Sequence, residues 1–254
     1  IAAASLAMGK NVLYITLELA EEEVAKRIDA NLMNITIDDL LVMPQDLYIK
    51  KANALKSKSQ GKLIVKEYPT ASASTLHFKA LLNELSLKKS FVPDIIFIDY
   101  LNICASSRIK PGGTVNSYTS IKSIAEELRG LAVEYAVPIV SATQTNRTGF
   151  TSSDVGLEDT SESFGLPATA DFMAALISTE QLQGLNQIMV KQLKNRYADP
   201  SANKRFVVGI DRAKMKLYDV EQSAQMDIVD SGQQVQQQPR SFNNARDKFK
   251  SLKV

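Results

Sequence analysis

Four polar positions carry the chemistry this sequence could do, and each follows an apolar run of strand character. Glu18 comes after NVLYITL, Asp99 after Ile95–Ile98, and Gln144 ends VPIVSATQ; Lys191, Lys194 and Arg196 form a basic cluster around the end of NQIMVKQL. A short continuous apolar run suits a strand buried on both faces, as in a parallel sheet. Open α/β sheets bind ligands at the carboxyl ends of such strands. An aspartate placed there commonly holds Mg²⁺ and its waters beneath a nucleotide's phosphates. A second carboxylate can orient and deprotonate water, an amide can sense a γ-phosphate, and a cation can meet developing charge. For a lone run ending in Asp, a core strand whose Asp caps the next turn is the simpler reading. Four such ends in order point instead to nucleotide hydrolysis.

The elements that must position these groups alternate. Residues 1–8 are helix-forming with Gly9 as a C-cap, and residues 11–17 read as a buried strand. Glu21-Glu22-Glu23 open a helix, where acids suit the positive end of the dipole. Residues 31–60 read as helical with Pro44 interrupting, 61–68 as a peripheral strand rich in lysine, and 74–89 as a helix. His77 on that helix, the sole histidine, reads as solvated or partly packed rather than a ligand. After the central strand come a loop over 106–118, a helix over 117–135, a strand over 137–144 and a long polar loop over 145–165. Strands over 171–178 and 186–193 and a hairpin over 204–220 complete the pattern. The fold class this predicts is α/β, a mostly parallel sheet flanked by helices with antiparallel strands at its C-terminal edge. No internal repeat is present.

Composition sets the outer limits. The chain has 254 residues, 44% of them hydrophobic, enough for one α/β domain with a tail. Its formal net charge of +2 is too small to announce nucleic-acid binding, so any such surface must be local. The single cysteine, Cys104, excludes an intrachain disulfide and fits a reducing compartment; buried packing is its expected role. No apolar run reaches membrane-spanning length, and the expected location is cytoplasmic with no membrane partner.

The ordered segments resemble the DnaB-type replicative DNA helicases, whose motor domain is RecA-like, and most nearly the hexameric helicases of large tailed phages. NVLYITLELAEEEVAKRI is similar to the family's strand ending in a catalytic glutamate, which gives Glu18 the role of base. IIFIDYLNI resembles the Walker B motif, giving Asp99 the Mg²⁺-linked role, and VPIVSATQTNR places Gln144 as phosphate sensor with Arg147 beside it. SESFGLPATADFMAAL resembles the Ser/Gly segment and Asp before the next strand, and IMVKQLKNRY the final basic motif that reaches a neighbouring subunit's ATP. The resemblance covers residues 1–220 and implies an ATP- and Mg²⁺-dependent motor. It implies a homo-hexamer encircling single-stranded DNA, with a primase and a helicase loader as partners, in the bacterial host cytoplasm if phage-encoded. Arg108, Lys110 and Arg147 would lie on channel-facing loops as candidate DNA-phosphate contacts, beside the equally open reading of solvated connections.

The sequence departs from the family in two places. No G-x-x-x-x-G-K-[ST] phosphate loop occurs, and the resemblance puts that Walker A strand and loop just before the helix at residues 1–8; the expectation is a fragment, inactive alone. In the final motif Leu193 separates Lys191 from Lys194, so the expected pair is Lys191 and Arg196, with the arginine finger unassigned by spacing. A RecA/RadA-type recombinase, or a non-catalytic RecA-like remnant or interaction module, is the alternative. Residues 221–254 read as a disordered glutamine-rich linker and basic tail, with Phe242, Ala245, Phe249 and Leu252 on one face of a short helix. That face suits a docking peptide for a replication partner or single-strand-binding protein, or a solvated tail with no partner.

Overall fold

The computed structural model describes residues 1–58, 61–109, 116–145, 155–157, 165–199 and 203–225. Helix α1 (Ala2–Ala7) leads into strand β1 (Val12–Thr16), followed by helices α2 (Glu21–Met33), α3 (Ile37–Leu41) and α4 (Gln45–Lys58). Then come β2 (Leu63–Glu67), α5 (Thr75–Lys89), β3 (Ile95–Asp99), α6 (Ser117–Glu134) and β4 (Ile139–Ser141). The four strands form a parallel sheet in the order β2-β1-β3-β4, with the lysine-bearing β2 at an edge as its composition predicts.

Alternation along the central strands feeds two cores. Leu13, Ile15, Ile96 and Ile98 face Phe78, Leu81, Leu82 and Leu85 of α5 and Ile121, Ile124, Leu128 and Leu131 of α6. Val12 and Phe97, with the half-buried Tyr14, face Ala3 and Leu6 of α1 and Val24 and Ile28 of α2. A sheet covered on both sides has near-continuous hydrophobic strands, which is what β1 and β3 show.

Local signals fix the helix ends. The α5 N-terminus carries a capping box in which Ser74 and His77 satisfy each other's backbone amides, so the sole histidine is a cap. Asn116 caps α6 by accepting from the Thr119 amide, at 2.8 Å. Helices α2 and α5 both end on left-handed residues, Asn34 at φ 55° and Ser90 at φ 48°.

The C-terminal strands differ from expectation. Strands β5 (Phe172–Ile177), β6 (Gln187–Asn195), β7 (Arg205–Asp211) and β8 (Lys216–Asp219) form a second, antiparallel sheet rather than the edge of the first. Strand β4 spans only Ile139–Ser141, and among the described residues it hydrogen-bonds β3 alone, so the ladder stops there. Helices α7 (Gly165–Thr169) and α8 (Glu180–Gly184) flank β5. Gly165 lets α7 approach α6 closely, since a Cβ there would meet the Lys122 side chain at 2.7 Å. The β7–β8 turn docks on α2 and α3 through Ala213 O, which accepts from Ile37 N at 2.9 Å, and Met215 O, which accepts from Asn31 Nδ2. Beyond the boundary expected at residue 220, Gln222–Gln225 form a 3-10 turn whose Gln225 side chain pairs with both Val207 N and Val207 O. Residues 226–254, with the expected tail helix, lie outside the described residues.

Candidate functional site

Parallel register brings three of the singled-out residues to one edge of the first sheet. Thr16 pairs with Asp99 and Ile98 with Ser141, so Glu18, Asp99 and Gln144 all stand at or just past the carboxyl ends of adjacent strands. Two bonds beyond the strands extend the ladders: Leu17 N to Asp99 O at 2.9 Å and Leu101 N to Ala142 O at 3.3 Å. Gln144 Nε2 donates to the Tyr100 hydroxyl at 3.3 Å, next in sequence to Asp99. Thr143 Oγ1 reaches Asn102 Oδ1 at 2.8 Å and ties the same two loops. Glu18 and Gln144 are exposed, and Asp99 is half-buried between them.

Asp99 is held by a residue that the sequence reading passed over. The Tyr14 hydroxyl donates to Asp99 Oδ2 at 2.9 Å, and its ring stacks on Phe97 at 5.9 Å between centroids. Tyr14 and Asp99 lie on one face of neighbouring strands, two register steps apart, close enough for a long side chain leaning along its strand. Burial, the Asp99 charge and this hydrogen bond together push the Tyr14 phenol up from its ordinary value, so it remains a donor at neutral pH. The one signal in sequence was a tyrosine inside an otherwise aliphatic run.

This donor set fits Mg²⁺ carried on a nucleotide rather than a metal caged by protein. Among the described residues no group of three or more His, Cys, Asp or Glu could enclose an ion. Mg²⁺ keeps several waters and commonly takes only one or two carboxylates plus substrate phosphates, which is what a single half-buried Asp99 with one oxygen already tethered can supply.

The basic residues belong to the second sheet and divide into two groups. Lys191 lies inside β6 rather than at its end; it is buried and its ammonium donates to Val155 O at 2.7 Å. Lys194 and Arg196 both reach the backbone of α7, Lys194 donating to Pro167 O and Arg196 Nη2 to Ala168 O at 3.0 Å. Asp171 sits between two guanidinium groups, with Arg129 Nη1 at 2.6 Å from Oδ2 and Arg196 Nη1 at 2.9 Å from Oδ1. The second contact is an ion pair without hydrogen-bond alignment. The Arg129 hydrogen bond, against some burial and helped by both positive charges, holds the Asp171 carboxyl below its usual range. Burial, then the nearby Arg196 charge, lowers Lys194. Arg196 itself is exposed. A cleft of about 560 Å³ lined by Arg129, Ala168, Thr169 and Arg196 lies here rather than at the Glu18–Asp99 edge. Glu126 and Glu134 also line it.

Of the expected DNA contacts, Lys110 and Arg147 lie outside the described residues. Arg108 is exposed and paired with Glu126 at 2.8 Å. Beside it, Glu127 of α6 is buried and accepts from Thr75 Oγ1 at 2.9 Å, Ser107 N at 2.9 Å, Ser107 Oγ and Ser106 Oγ. No cation takes part among these donors. A glutamate three residues after Ile124 and four before Leu131 occupies a core position of the helix, the signal by which the sequence could have revealed it. Cys104 is buried and its thiol is pushed up to about 12 by that burial, which makes it inert packing as expected.

Comparison with known proteins shows the family and the fold. The family described as "DnaB-like helicase C terminal domain" matches residues 1–205. A DnaB-like replicative helicase of Enterobacteria phage T4 is 44% identical over 252 residues, covering 95% of this chain and 52% of the relative. A probable plasmid replicative DNA helicase of Chlamydia psittaci is 28% identical over 202 residues, covering 76% of this chain and 42% of the relative. The chain thus spans about half the length of the curated relatives it matches. A solved structure described as an ATPase domain superposes with a TM-score of 0.70 at 18% identity, over 87% of this chain and 78% of that one. A DnaB-like replicative helicase solved in a study of its interactions with primase gives the same score and identity, over 87% of this chain and 53% of that one. At that identity the likeness speaks to fold, and it bears out the RecA-like α/β class. No helix among the described residues is long and apolar enough to cross a membrane.

Proposed function

Because this chain belongs to the family of DnaB-like helicase C-terminal domains, we propose that it is the motor portion of a replicative helicase, using ATP hydrolysis to move along single-stranded DNA. The observation that carries the reading is the meeting of Glu18, Asp99 and Gln144 at one carboxyl edge of a parallel sheet. Glu18, exposed and without a side-chain partner among the described residues, takes the proton of the attacking water. Asp99, steadied by Tyr14, would hold Mg²⁺, which when bound supplies charge neutralisation across the phosphates. Gln144 reports the γ-phosphate to the Tyr100 and Asn102 loop that it and Thr143 join. Arg196 acts in trans on a neighbouring subunit's nucleotide, with Lys194 rather than the buried Lys191 beside it. Arg108, Lys110 and Arg147 contact DNA phosphates, a homo-hexamer forms the ring, and primase and loader are its partners in the cytoplasm. The family match favours this reading over a recombinase.

The 254 residues contain no G-x-x-x-x-G-K-[ST], and on this reading they neither bind ATP tightly nor hydrolyse it by themselves. A hybrid in which residues 1–254 replace the matching segment of the T4 relative carries the rest of that relative's chain. It should unwind a forked DNA duplex with ATP and Mg²⁺, whereas the chain alone should not. A well-folded hybrid that hydrolyses ATP with no unwinding or strand-dependent stimulation would remove the helicase reading.

A further inference from the structure

Glu18 is exposed in a turn that follows the buried Thr16 and Leu17, and one side chain organises that turn. Thr16, the last residue of β1, has no solvent exposure. Its hydroxyl donates to Leu19 O at 2.8 Å and accepts from Leu19 N at 3.0 Å and Glu18 N at 3.4 Å. It therefore satisfies backbone groups that the end of the strand leaves unpaired, on both sides of Glu18. Leu17 is fixed from outside the turn: its amide donates to Asp99 O at 2.9 Å, and its carbonyl accepts from Thr70 Oγ1 at 2.7 Å. The Thr16 carbonyl in turn accepts from Tyr68 N at 2.9 Å. Two neighbouring segments, the end of β3 and residues 68–70, thus hold residues 16 and 17, while among the described residues only the Thr16 hydroxyl reaches across Glu18 to residue 19.

We propose that Thr16 is a positioning residue for the water-activating carboxylate, setting the direction in which Glu18 leaves the sheet edge relative to Asp99. The proposal rests on the role assigned above to Glu18. A threonine suits the place because its methyl packs in a fully buried strand position while its hydroxyl serves as donor and acceptor at once. Valine matches the volume and loses both functions; alanine loses volume as well; serine keeps the oxygen. Displacing a catalytic group by about 1 Å can cost on the order of a hundredfold in rate. The carboxylate's chemistry and the nucleotide's own contacts are untouched by such a displacement, so turnover should fall while ATP binding holds.

The test compares Thr16→Val, Thr16→Ala and Thr16→Ser with Glu18→Gln in the T4 hybrid. The expected result is a loss of kcat of about 10- to 100-fold in the valine and alanine variants, with KM for ATP near wild type and turnover retained by serine. In the 254-residue chain itself, Thr16→Ala should speed hydrogen exchange at the Leu19 amide while leaving the β3 amides protected. Wild-type kcat for Thr16→Val or Thr16→Ala beside an inactive Glu18→Gln would overturn the positioning role and leave the role of Glu18 standing. Wild-type turnover by Glu18→Gln would instead remove the base assignment on which the proposal rests. Should valine and alanine both unfold the hybrid, Thr16→Ser decides: turnover as low as that of Glu18→Gln would overturn it, and full turnover would uphold it.

Discussion

Replacing Glu127 isolates a buried carboxylate satisfied only by neutral donors, and its effect can be worked out from the contacts. In Glu127→Ala the buried Thr75 hydroxyl and the part-buried Ser107 amide both lose their acceptor. The orphaned buried Thr75 donor costs about 1–3 kcal/mol, while the Ser106 and Ser107 groups nearer the surface regain water. For a chain of this size that lowers the thermal midpoint by roughly 2–12 °C. Glu127→Gln behaves differently. Its amide oxygen can keep the donors at Oε2, and its amide nitrogen can donate to Ser106 Oγ, which limits the loss to about 1 kcal/mol. Burial alone would raise the Glu127 carboxyl, but the hydrogen bonds from Ser106, Ser107 and Thr75 outweigh it and hold it below its usual range. The stabilisation tied to that lowering is therefore present above the ordinary carboxylate range and is lost as pH falls through the lowered folded value. Urea unfolding of the three proteins followed by circular dichroism, from neutral pH downward, reads all of this. Alanine within about 0.5 kcal/mol of wild type, or a wild-type-to-glutamine gap that does not shrink in acid, would refute the reasoning.

Three further outcomes follow from the same contacts. Tyr14→Phe in the T4 hybrid removes one hydrogen bond to a charged group and should raise the Mg²⁺ concentration for half-maximal turnover about tenfold, with unchanged Mg²⁺ dependence marking the hydroxyl as idle. Arg196→Ala should spare nucleotide binding and abolish hydrolysis, and mixing it with Glu18→Gln subunits should restore some activity if the two serve one composite site; normal turnover would move the test to Lys194. Deleting residues 231–254 should leave DNA-stimulated hydrolysis unchanged and weaken recruitment of a replication partner, whereas loss of hydrolysis would place that segment in the motor.

The parallel sheet was legible because its strands are buried on both faces: the continuous runs ending at Thr16 and Ile98 mark β1 and β3 within a residue or two. The polar residues at their ends were legible for the same reason, since a carboxylate after such a run has only the sheet edge to occupy. What held those residues was not. Tyr14 reaches Asp99 across 85 positions of sequence, and Glu127 reaches Thr75 across 52, distances that no periodicity reports. The basic motif was legible as a cluster but not by role. Alternation along β6 sends Lys191 inward to Val155, while the pairing shift at Met173/Ala174 and the end of the strand leave Lys194 and Arg196 together on α7. The split into two sheets was hidden because strand-like composition says nothing about which edges pair. His77 shows the converse: a residue read as unimportant for ligands acts as a helix cap, through a capping box with histidine where glutamate or glutamine is usual.

If the edge formed by Glu18, Asp99 and Gln144 hydrolyses ATP, single-turnover hydrolysis by Glu18→Gln in the T4 hybrid must show it. The carboxamide keeps the shape of the side chain and cannot accept a proton from water, so nucleotide should bind as in wild type while the chemical step slows by roughly two orders of magnitude or more. A chemical step at the wild-type rate, with bound nucleotide confirmed, would take hydrolysis away from Glu18 and this edge.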